Sequence, residues 1–134
     1  MELYVDGSTQ ETCFVLGKES KVITNICGKT TGNVGEYHAL IHGLQEAKNH
    51  GVQALQIFSD SELMVNQLKT DKGGMPIYAC KNERLRSLRI IVLELLTCFK
   101  DTTITWIPRK SNKAGQILEK IAQDRRKHAI KNKR

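Results

Sequence analysis

Several features that would assign the chain to a particular class of protein are missing from it. Its longest apolar runs, such as Ile90 to Leu93, have four residues, whereas a membrane-spanning helix needs about 20. No basic-then-apolar leader precedes the strand-like segment Leu3 to Val5. The sequence also contains no internal repeat, linker or low-complexity segment. We therefore expect one globular domain that is cytoplasmic and monomeric, with no membrane partner.

The cysteines lack the spacing of a metal site. Cys13, Cys27, Cys80 and Cys98 form no C-x-x-C motif and have no histidine pair nearby, which argues against bound zinc. We interpret them as reduced thiols that serve mainly as small apolar side chains.

The positive charge is concentrated at one end of the chain. Six of the 21 lysines and arginines lie in residues 125–134, so 15 positive charges face 14 negative ones elsewhere. We therefore divide the chain into a domain, residues 1–124, and a basic C-terminal tail, residues 125–134. Such a tail favours a polyanionic partner, because cations placed on phosphates release counterions. The alternative is a solvated, frayed terminus.

Hydrophobic periodicity predicts three strands followed by alternating helices and strands. The predicted strands are Glu2 to Val5, Cys13 to Leu16, Lys21 to Cys27, Ala54 to Phe58 and Thr102 to Ile107; the predicted helices run from Val34 towards Gly51, over Leu63 to Leu68, over Leu85 to Phe99, and from Lys113 to Ala122. This order implies a mixed sheet covered by helices, in which an antiparallel meander starts at the first strand and the fourth strand lies parallel to the first. Gly43 lies inside the first helix, where it would permit close approach to the sheet.

Three acidic residues are predicted to converge at one edge of that sheet. Asp6 ends the first strand, Asp60 ends the fourth, and Glu36 lies in the first turn of the helix between them, on its inward stripe. Carboxyl ends of parallel strands open on a common crevice. Repulsion within such a cluster costs on the order of 1 kcal/mol per close pair. Hard divalent cations offset this cost, and a pair of them roughly 4 Å apart can activate water for phosphodiester cleavage.

Each acid also has an ordinary structural interpretation. Asp6 precedes Gly7-Ser8 and could be a turn residue, Glu36 could interact with the helix dipole, and Asp60 or Ser59 could cap the short helix that follows. Those interpretations do not explain why all three acids occur at one sheet edge, if the inferred strand order is right.

Four segments that follow one another in the chain resemble the signature segments of type 1 ribonucleases H. They are Leu3-Tyr4-Val5-Asp6-Gly7-Ser8, Thr31-Gly32-Asn33-Val34-Gly35-Glu36, Ile57-Phe58-Ser59-Asp60-Ser61 and Ile107-Pro108-Arg109-Lys110-Ser111-Asn112-Lys113. The resemblance extends to about residue 122. It implies an α/β fold of the ribonuclease H-like class, with a five-stranded mixed sheet (three antiparallel, two parallel) flanked by helices.

The same resemblance implies hydrolysis of the RNA strand of RNA–DNA hybrids by an endonuclease that uses two Mg²⁺ or Mn²⁺ ions with substrate. Asp6, Glu36 and Asp60 would be the catalytic metal ligands.

The resemblance also implies contacts with the hybrid. Asn33 would contact its minor groove, where 2′-hydroxyl groups distinguish RNA from DNA, and Thr31 would bind a phosphate of the DNA strand. Arg109, Lys110 and Asn112 lie in the later segment that would also contact nucleic acid.

The sequence departs from the family pattern at the fourth catalytic position. The family usually has an aspartate four residues after the asparagine that matches Asn112, and this chain has Gln116 there. An amide oxygen can bind a metal but contributes no charge, and Glu119 lies one turn further along the helix. The segment directly before Asn112 contains no histidine that could act as a proton shuttle; Arg109 and Lys110 stand there instead.

These departures leave three hypotheses open. The first is an active hybrid-cleaving ribonuclease that is slow and more reliant on Mn²⁺. The second is a hybrid-binding module whose catalytic centre is impaired. The third is another enzyme of the same superfamily, such as a resolvase or an exonuclease.

Overall fold

A computed structural model of the chain describes residues 1–24 and 31–132, with side chains as far as residue 129. The elements alternate much as predicted. They are β1 (Glu2–Gly7), β2 (Glu11–Leu16), β3 (Glu19–Thr24), α1 (Gly32–Asn49), β4 (Ala54–Ser59), α2 (Glu62–Leu68), α3 (Glu83–Leu96), β5 (Asp101–Trp106), a 3₁₀ turn (Arg109–Ser111) and α4 (Lys113–Asn132). Residues 25–27 of the predicted third strand lie outside the described residues.

The five strands form one mixed sheet in the order β3-β2-β1-β4-β5. The first three strands are antiparallel to one another, with Asp6 opposite Cys13. Strands β1 and β4 are parallel, with Val5 opposite Ser59, and β5 extends the parallel half. This arrangement confirms the predicted fold class and places the carboxyl ends of β1 and β4 side by side.

Helices cover both faces of the sheet. On one face α1, α2 and α3 bury an apolar core, while α4 packs alone on the other face, against Cys13 and Val15 through Ala114 and Leu118. Gly43 allows α1 to approach the sheet, because a Cβ atom there would lie 2.8 Å from Leu3 Cδ1. The close approach predicted at this glycine is confirmed. None of the helices in the described residues combines the length and apolarity needed to cross a lipid bilayer.

Two helix starts differ from the prediction. Helix α1 begins at Gly32, where the Thr31 side chain accepts a hydrogen bond from the Val34 amide at 3.2 Å. Glu36 therefore lies in the second turn of α1, not the first. The N-cap of α2 is Ser61, whose Oγ accepts from the Met64 amide. Neither Ser59 nor Asp60 is the N-cap of α2, so the Asp60 carboxylate can face the other acids at the edge of the sheet.

Helix α4 extends across the boundary predicted at residue 124, and the division into domain and tail stays a prediction. Helix α4 continues to Asn132, and Arg125 forms a two-pronged ion pair with Glu11 of β2, with N–O distances of 2.5 and 3.1 Å. Glu11 is 8% exposed, and a nearly buried carboxylate needs a partner. Arg125, the first residue of the predicted tail, is therefore anchored to β2.

Candidate active site

Asp6, Glu36 and Asp60 meet at the edge of the sheet. Each offers a carboxylate oxygen, and the three atoms lie within 4.8 Å of one another. Asp6 is near the end of β1 and Asp60 directly follows β4, so the parallel pairing of these strands brings the two aspartates together. Glu36 reaches the same edge from α1. The structure thus brings together all three acids that the sequence predicted to converge.

Two glycines allow α1 to approach closely enough to deliver Glu36. A Cβ atom on Gly7 would lie 2.1 Å from the Gly35 carbonyl oxygen, and one on Gly35 would lie 2.0 Å from the Ser8 carbonyl oxygen. Both distances are far below any tolerated contact, so the end of β1 and the start of α1 touch backbone to backbone. Neither glycine is among the site residues predicted from the sequence, although each stands next to one of the acids.

The acid cluster is buried and short of hydrogen-bond donors. Asp6 is 1% exposed and Glu36 is 8% exposed. Among the described residues, Asp6 Oδ1 and Glu36 Oε2 have no hydrogen-bond partner. Burial raises the pKa of the Glu36 carboxyl, and the charge of Asp6 raises it further. Burial likewise raises the pKa of Asp6. Without a bound cation, the folded protein therefore disfavours full ionisation of the cluster.

These features fit a divalent cation. Buried carboxylate oxygens without donors are the hard ligands that Mg²⁺ and Mn²⁺ prefer. On the α4 side the cluster lies next to the backbone of Gly115, where a Cβ atom would lie 3.4 Å from both Asp6 Oδ2 and Asp60 Oδ2. Residues Asp6, Glu36 and Asp60 could therefore hold metal ions.

Asn112 orients the site but is not exposed to a nucleic acid. It is 0% exposed. Its Nδ2 donates to the Val5 carbonyl at 2.9 Å and to Asp60 Oδ2 at 3.3 Å, and its Oδ1 accepts from the Ala114 amide at 3.1 Å. The nucleic-acid contact predicted at this residue stays a prediction; in the structure the side chain is buried and both of its polar atoms are engaged. Asn112 instead ties β1, Asp60 and the start of α4 together.

Asp60 is fixed on its other side by Trp106. The indole Nε1 donates to the Asp60 carbonyl at 3.1 Å, from the end of the neighbouring strand β5. From the sequence, Trp106 was predicted only as a residue of the last strand. Its position at the end of a strand that ends beside Asp60 is the one signal that could have identified it.

Gln116 does not reach the acids. Its Nε2 donates to the Lys110 carbonyl at 2.6 Å, and the side chain is exposed. The α4 residue that faces Asp6 and Asp60 is Gly115. The backbone of the preceding turn thus engages the amide nitrogen of Gln116, and the catalytic role of this residue stays a prediction.

The other predicted contact residues surround the acids on the surface. Thr31 and Asn33 are exposed at the start of α1, where the Thr31 hydroxyl caps the helix. Arg109 lies beside Asp6 and Asp60, with N–O distances of 3.8 Å to each. Lys110 is exposed and, with Arg109, lines an open groove of about 720 Å³ beside α4. Lys120 lines the same groove, so the acid centre has positive charge on its α4 side.

Comparison with known proteins shows that the chain is similar to ribonucleases H. The family described as reverse transcriptase-like matches residues 15–122. The chain is 35% identical to Ribonuclease HI of Halobacterium salinarum over 97 residues, which are 72% of this chain and 46% of that protein. It is 31% identical to the bifunctional protein Rv2228c of Mycobacterium tuberculosis over 97 residues, 72% of this chain and 25% of that protein. The chain thus spans under half the length of these relatives.

Solved structures show the same fold. RNase H1 from the halophilic archaeon Halobacterium salinarum matches with a TM-score of 0.72 and 29% identity, over 87% of this chain and 92% of that one. LC11-RNase H1 in complex with an RNA/DNA hybrid matches with a TM-score of 0.67 and 22% identity, over 84% of this chain and 88% of that one. The second likeness supports the fold alone.

Proposed function

The chain belongs to the reverse transcriptase-like family of ribonucleases H, as a type 1 member, and from that premise we propose that it is a metal-dependent endonuclease that hydrolyses the RNA strand of RNA–DNA hybrids. Its relative in Halobacterium salinarum is named Ribonuclease HI. Because this chain spans only part of that protein, the activity rests on the site and not on the name alone.

One observation supports this function most directly. Three carboxylate oxygens from β1, α1 and the end of β4 lie within 4.8 Å of one another, and two oxygens of the cluster have no donor among the described residues. A fold gains no stability from such a cluster, because burial and mutual repulsion both oppose ionisation. A catalytic site for divalent cations explains why the acids are held together.

The proposed roles follow from where each side chain lies. Asp6, Glu36 and Asp60 would hold two Mg²⁺ or Mn²⁺ ions, which would supply an activated water and stabilise the attacking and leaving oxygens of the phosphodiester. Asn112 and Trp106 hold Asp60 in place from two sides. The exposed residues Thr31 and Asn33 would contact the hybrid at the start of α1, with Asn33 reading 2′-hydroxyl groups.

A cleavage assay tests the proposal. Purified protein, a hybrid labelled on its RNA strand and Mg²⁺ or Mn²⁺ should give internal RNA fragments, and labelled single-stranded RNA, duplex DNA and DNA junctions should stay intact. Asp60→Asn should abolish cleavage, because the amide is nearly isosteric but neutral. RNA fragments that persist with the Asn variant would show that another nuclease, or another site, is responsible. Cleavage of a junction or of single strands would favour the resolvase or exonuclease hypothesis.

A second candidate function is hybrid binding by a catalytically impaired centre. The orientation of Gln116 favours it, because the predicted fourth position adds neither charge nor a ligand atom to the cluster. This hypothesis expects salt-sensitive binding of the hybrid without turnover in either ion. A gel-shift measurement on the same protein preparation, next to the cleavage assay, separates the two functions.

The basic end of α4 would add affinity for nucleic acids in either case. Arg125 is held by Glu11, so the proposed phosphate contacts rest on the lysines that follow it in the sequence. The triple variant of Lys127, Lys131 and Lys133 to Gln should flatten the dependence of hybrid affinity on salt. If the slope of hybrid affinity against salt concentration is unchanged, the acid centre and its surroundings bind the hybrid without the basic residues.

We also propose that the protein is a cytoplasmic monomer. The thiols of Cys13, Cys80 and Cys98 are free, which suits a reducing compartment. Light scattering at working concentration measures the oligomeric state.

A further inference from the structure

Arg109 places a positive charge directly over two of the three acids. It lies in the 3₁₀ turn between β5 and α4. Its Nη2 is 3.8 Å from Asp6 Oδ2, and its Nη1 is 3.8 Å from Asp60 Oδ2. One guanidinium therefore faces carboxylates from two neighbouring strands, where a metal ion bound to the same oxygens would also place its charge.

The contact is electrostatic and easily displaced. At 3.8 Å the nitrogen and oxygen atoms are ion-paired but too far apart for a good hydrogen bond. The Arg109 side chain is 61% exposed, whereas the carboxylates of Asp6 and Asp60 are 2% and 9% exposed. The arginine can thus move into solvent without any rearrangement of the acids.

The oxygens beneath Arg109 also lie next to Gly115 of α4. A Cβ atom on Gly115 would lie 3.4 Å from Asp6 Oδ2 and 3.4 Å from Asp60 Oδ2. These are the same two atoms that face the guanidinium. Two further buried oxygens of the cluster, Asp6 Oδ1 and Glu36 Oε2, have no donor in the described part of the chain. The cluster therefore has one half that faces Arg109 and another half with no counter-charge.

We propose that Arg109 is a resident counter-ion that competes with divalent cations for Asp6 and Asp60. This inference rests on the proposed metal-dependent function. In the protein without metal, Arg109 lowers the repulsion between the two aspartates. When a divalent cation binds them, the guanidinium is displaced towards the groove that it lines with Lys110 and Lys120, where a phosphate oxygen of the substrate can accept its hydrogen bonds.

Metal affinity in the absence of nucleic acid tests the competition. The dissociation constant for Mn²⁺ is measured by titration calorimetry on the wild type, Arg109→Gln and Lys110→Gln. Loss of the competing guanidinium should tighten Mn²⁺ binding about three- to tenfold in Arg109→Gln, the effect expected for one or two partly solvated ion pairs. Lys110→Gln removes the same charge one residue further on and should leave the constant nearly unchanged. Unchanged or weaker binding in Arg109→Gln overturns the proposal, and so does an equal gain in both variants.

Thermal unfolding gives a second readout that does not depend on activity. Without metal, Arg109→Gln should melt a few degrees below the wild type, since the aspartates lose their counter-charge. At saturating Mn²⁺ the two melting temperatures should converge. A difference that persists at saturation would assign Arg109 a structural role and refute the competition.

The hybrid cleavage assay keeps this inference separate from the proposed function. Tighter Mn²⁺ binding by Arg109→Gln in a protein that does not cleave hybrids would support the counter-ion and refute the nuclease. Cleavage by a protein whose Mn²⁺ affinity is the same in the wild type and in Arg109→Gln would refute the counter-ion and support the nuclease. A lack of Mn²⁺ binding by wild type and variant alike overturns the counter-ion, and the nuclease is then judged on cleavage alone.

Discussion

Gly7 and Gly35 lie in direct backbone contact: a Cβ atom on Gly7 would be 2.1 Å from the carbonyl oxygen of Gly35. This contact joins the end of β1 to the start of α1. Asp6 and Glu36 are the neighbours of these two glycines in sequence, so the distance between their carboxylates depends on a pair of residues that have no side chains.

Substitution of Gly35 by alanine should therefore destabilise the fold and separate the acids. The added methyl group would meet the Ser8 carbonyl at 2.0 Å, and backbone overpacking of this kind should cost about 3 kcal/mol or more of unfolding free energy. Gly32→Ala is the matched control in the same helix, because a Cβ there meets nothing within 4 Å; its effect should stay within about 1 kcal/mol. Urea denaturation measures both, and equal effects in the two variants would contradict the close-contact argument.

The buried carboxyl of Glu36 should make the metal-free protein less stable as the pH rises. Burial raises its pKa in the folded state. Below its unfolded-state pKa the Glu36 carboxyl is protonated in both the folded and the unfolded state, and its contribution to the free energy of unfolding is at a maximum. As the pH rises further, the unfolded chain ionises first, so the free energy of unfolding falls until the folded-state pKa is passed. The raised pKa of Asp6 acts in the same direction.

Glu36→Gln should flatten this pH dependence and raise the melting temperature of the metal-free protein at pH 8. Added Mg²⁺ should stabilise the wild type more than the variant, because the cation restores ionisation of the cluster. Glu94→Gln, which removes an exposed carboxylate on α3, serves as the control and should leave the pH profile unchanged. Identical profiles for wild type and Glu36→Gln would contradict the prediction.

Asn112→Ala should lower both stability and hybrid cleavage. The change removes the bond to Val5, the donor to Asp60 and the cap at Ala114, at a total cost of about 2–4 kcal/mol. Asn82→Ala removes only the cap of α3, at Leu85, and should cost about 1 kcal/mol. Cleavage measured well below the melting temperature of each variant separates the two effects: the Asn82 variant should keep its activity. Full activity in Asn112→Ala would show that Asp60 does not need its donor.

Gln116→Ala should leave cleavage of the hybrid nearly intact. The amide is turned to the Lys110 carbonyl and away from the acids, so its loss should lower the rate less than about threefold, equivalent to under about 0.7 kcal/mol of transition-state stabilisation. Single-turnover kinetics on the labelled hybrid give this ratio directly. A loss that approaches that of Asp60→Asn would mean that the side chain turns towards the cluster when substrate binds.

Arg125→Gln should destabilise the domain more than Arg126→Gln. Arg125 forms both bonds to Glu11, a carboxylate that is nearly buried, but the arginine itself is half exposed, so we expect a cost of about 1 kcal/mol. Arg126 lies 3.5 Å from the exposed Glu119, and a pair of this kind contributes close to nothing. Chemical denaturation at low and moderate salt measures the difference, and equal costs would place Arg125 back in a solvated tail.

Local patterns in the sequence were enough to predict the order of the elements, the mixed sheet and the convergence of the acids. Strand periodicity and the turn residues that follow Asp6 and Phe58 place both aspartates at strand ends. Parallel pairing of the two strands then requires the aspartates to share an edge of the sheet. Element ends were predicted less well, because α1 begins at a cap residue, Thr31, that the apolar stripe does not include. The ion pair between Arg125 and Glu11 could not be anticipated, because the two residues lie near opposite ends of the chain.

The sequence by itself determined which residue types could form a metal centre and which strands would carry them. Only the tertiary structure decided how the residues after β5 meet that centre: Asn112 is buried against Val5, Gly115 faces the acids, Gln116 turns away, and Arg109 lies over two aspartates. The physical reason is distance along the chain. The direction of a side chain at the start of α4 is set by packing against β1 and β4, which lie far away in sequence, and no local pattern records that contact.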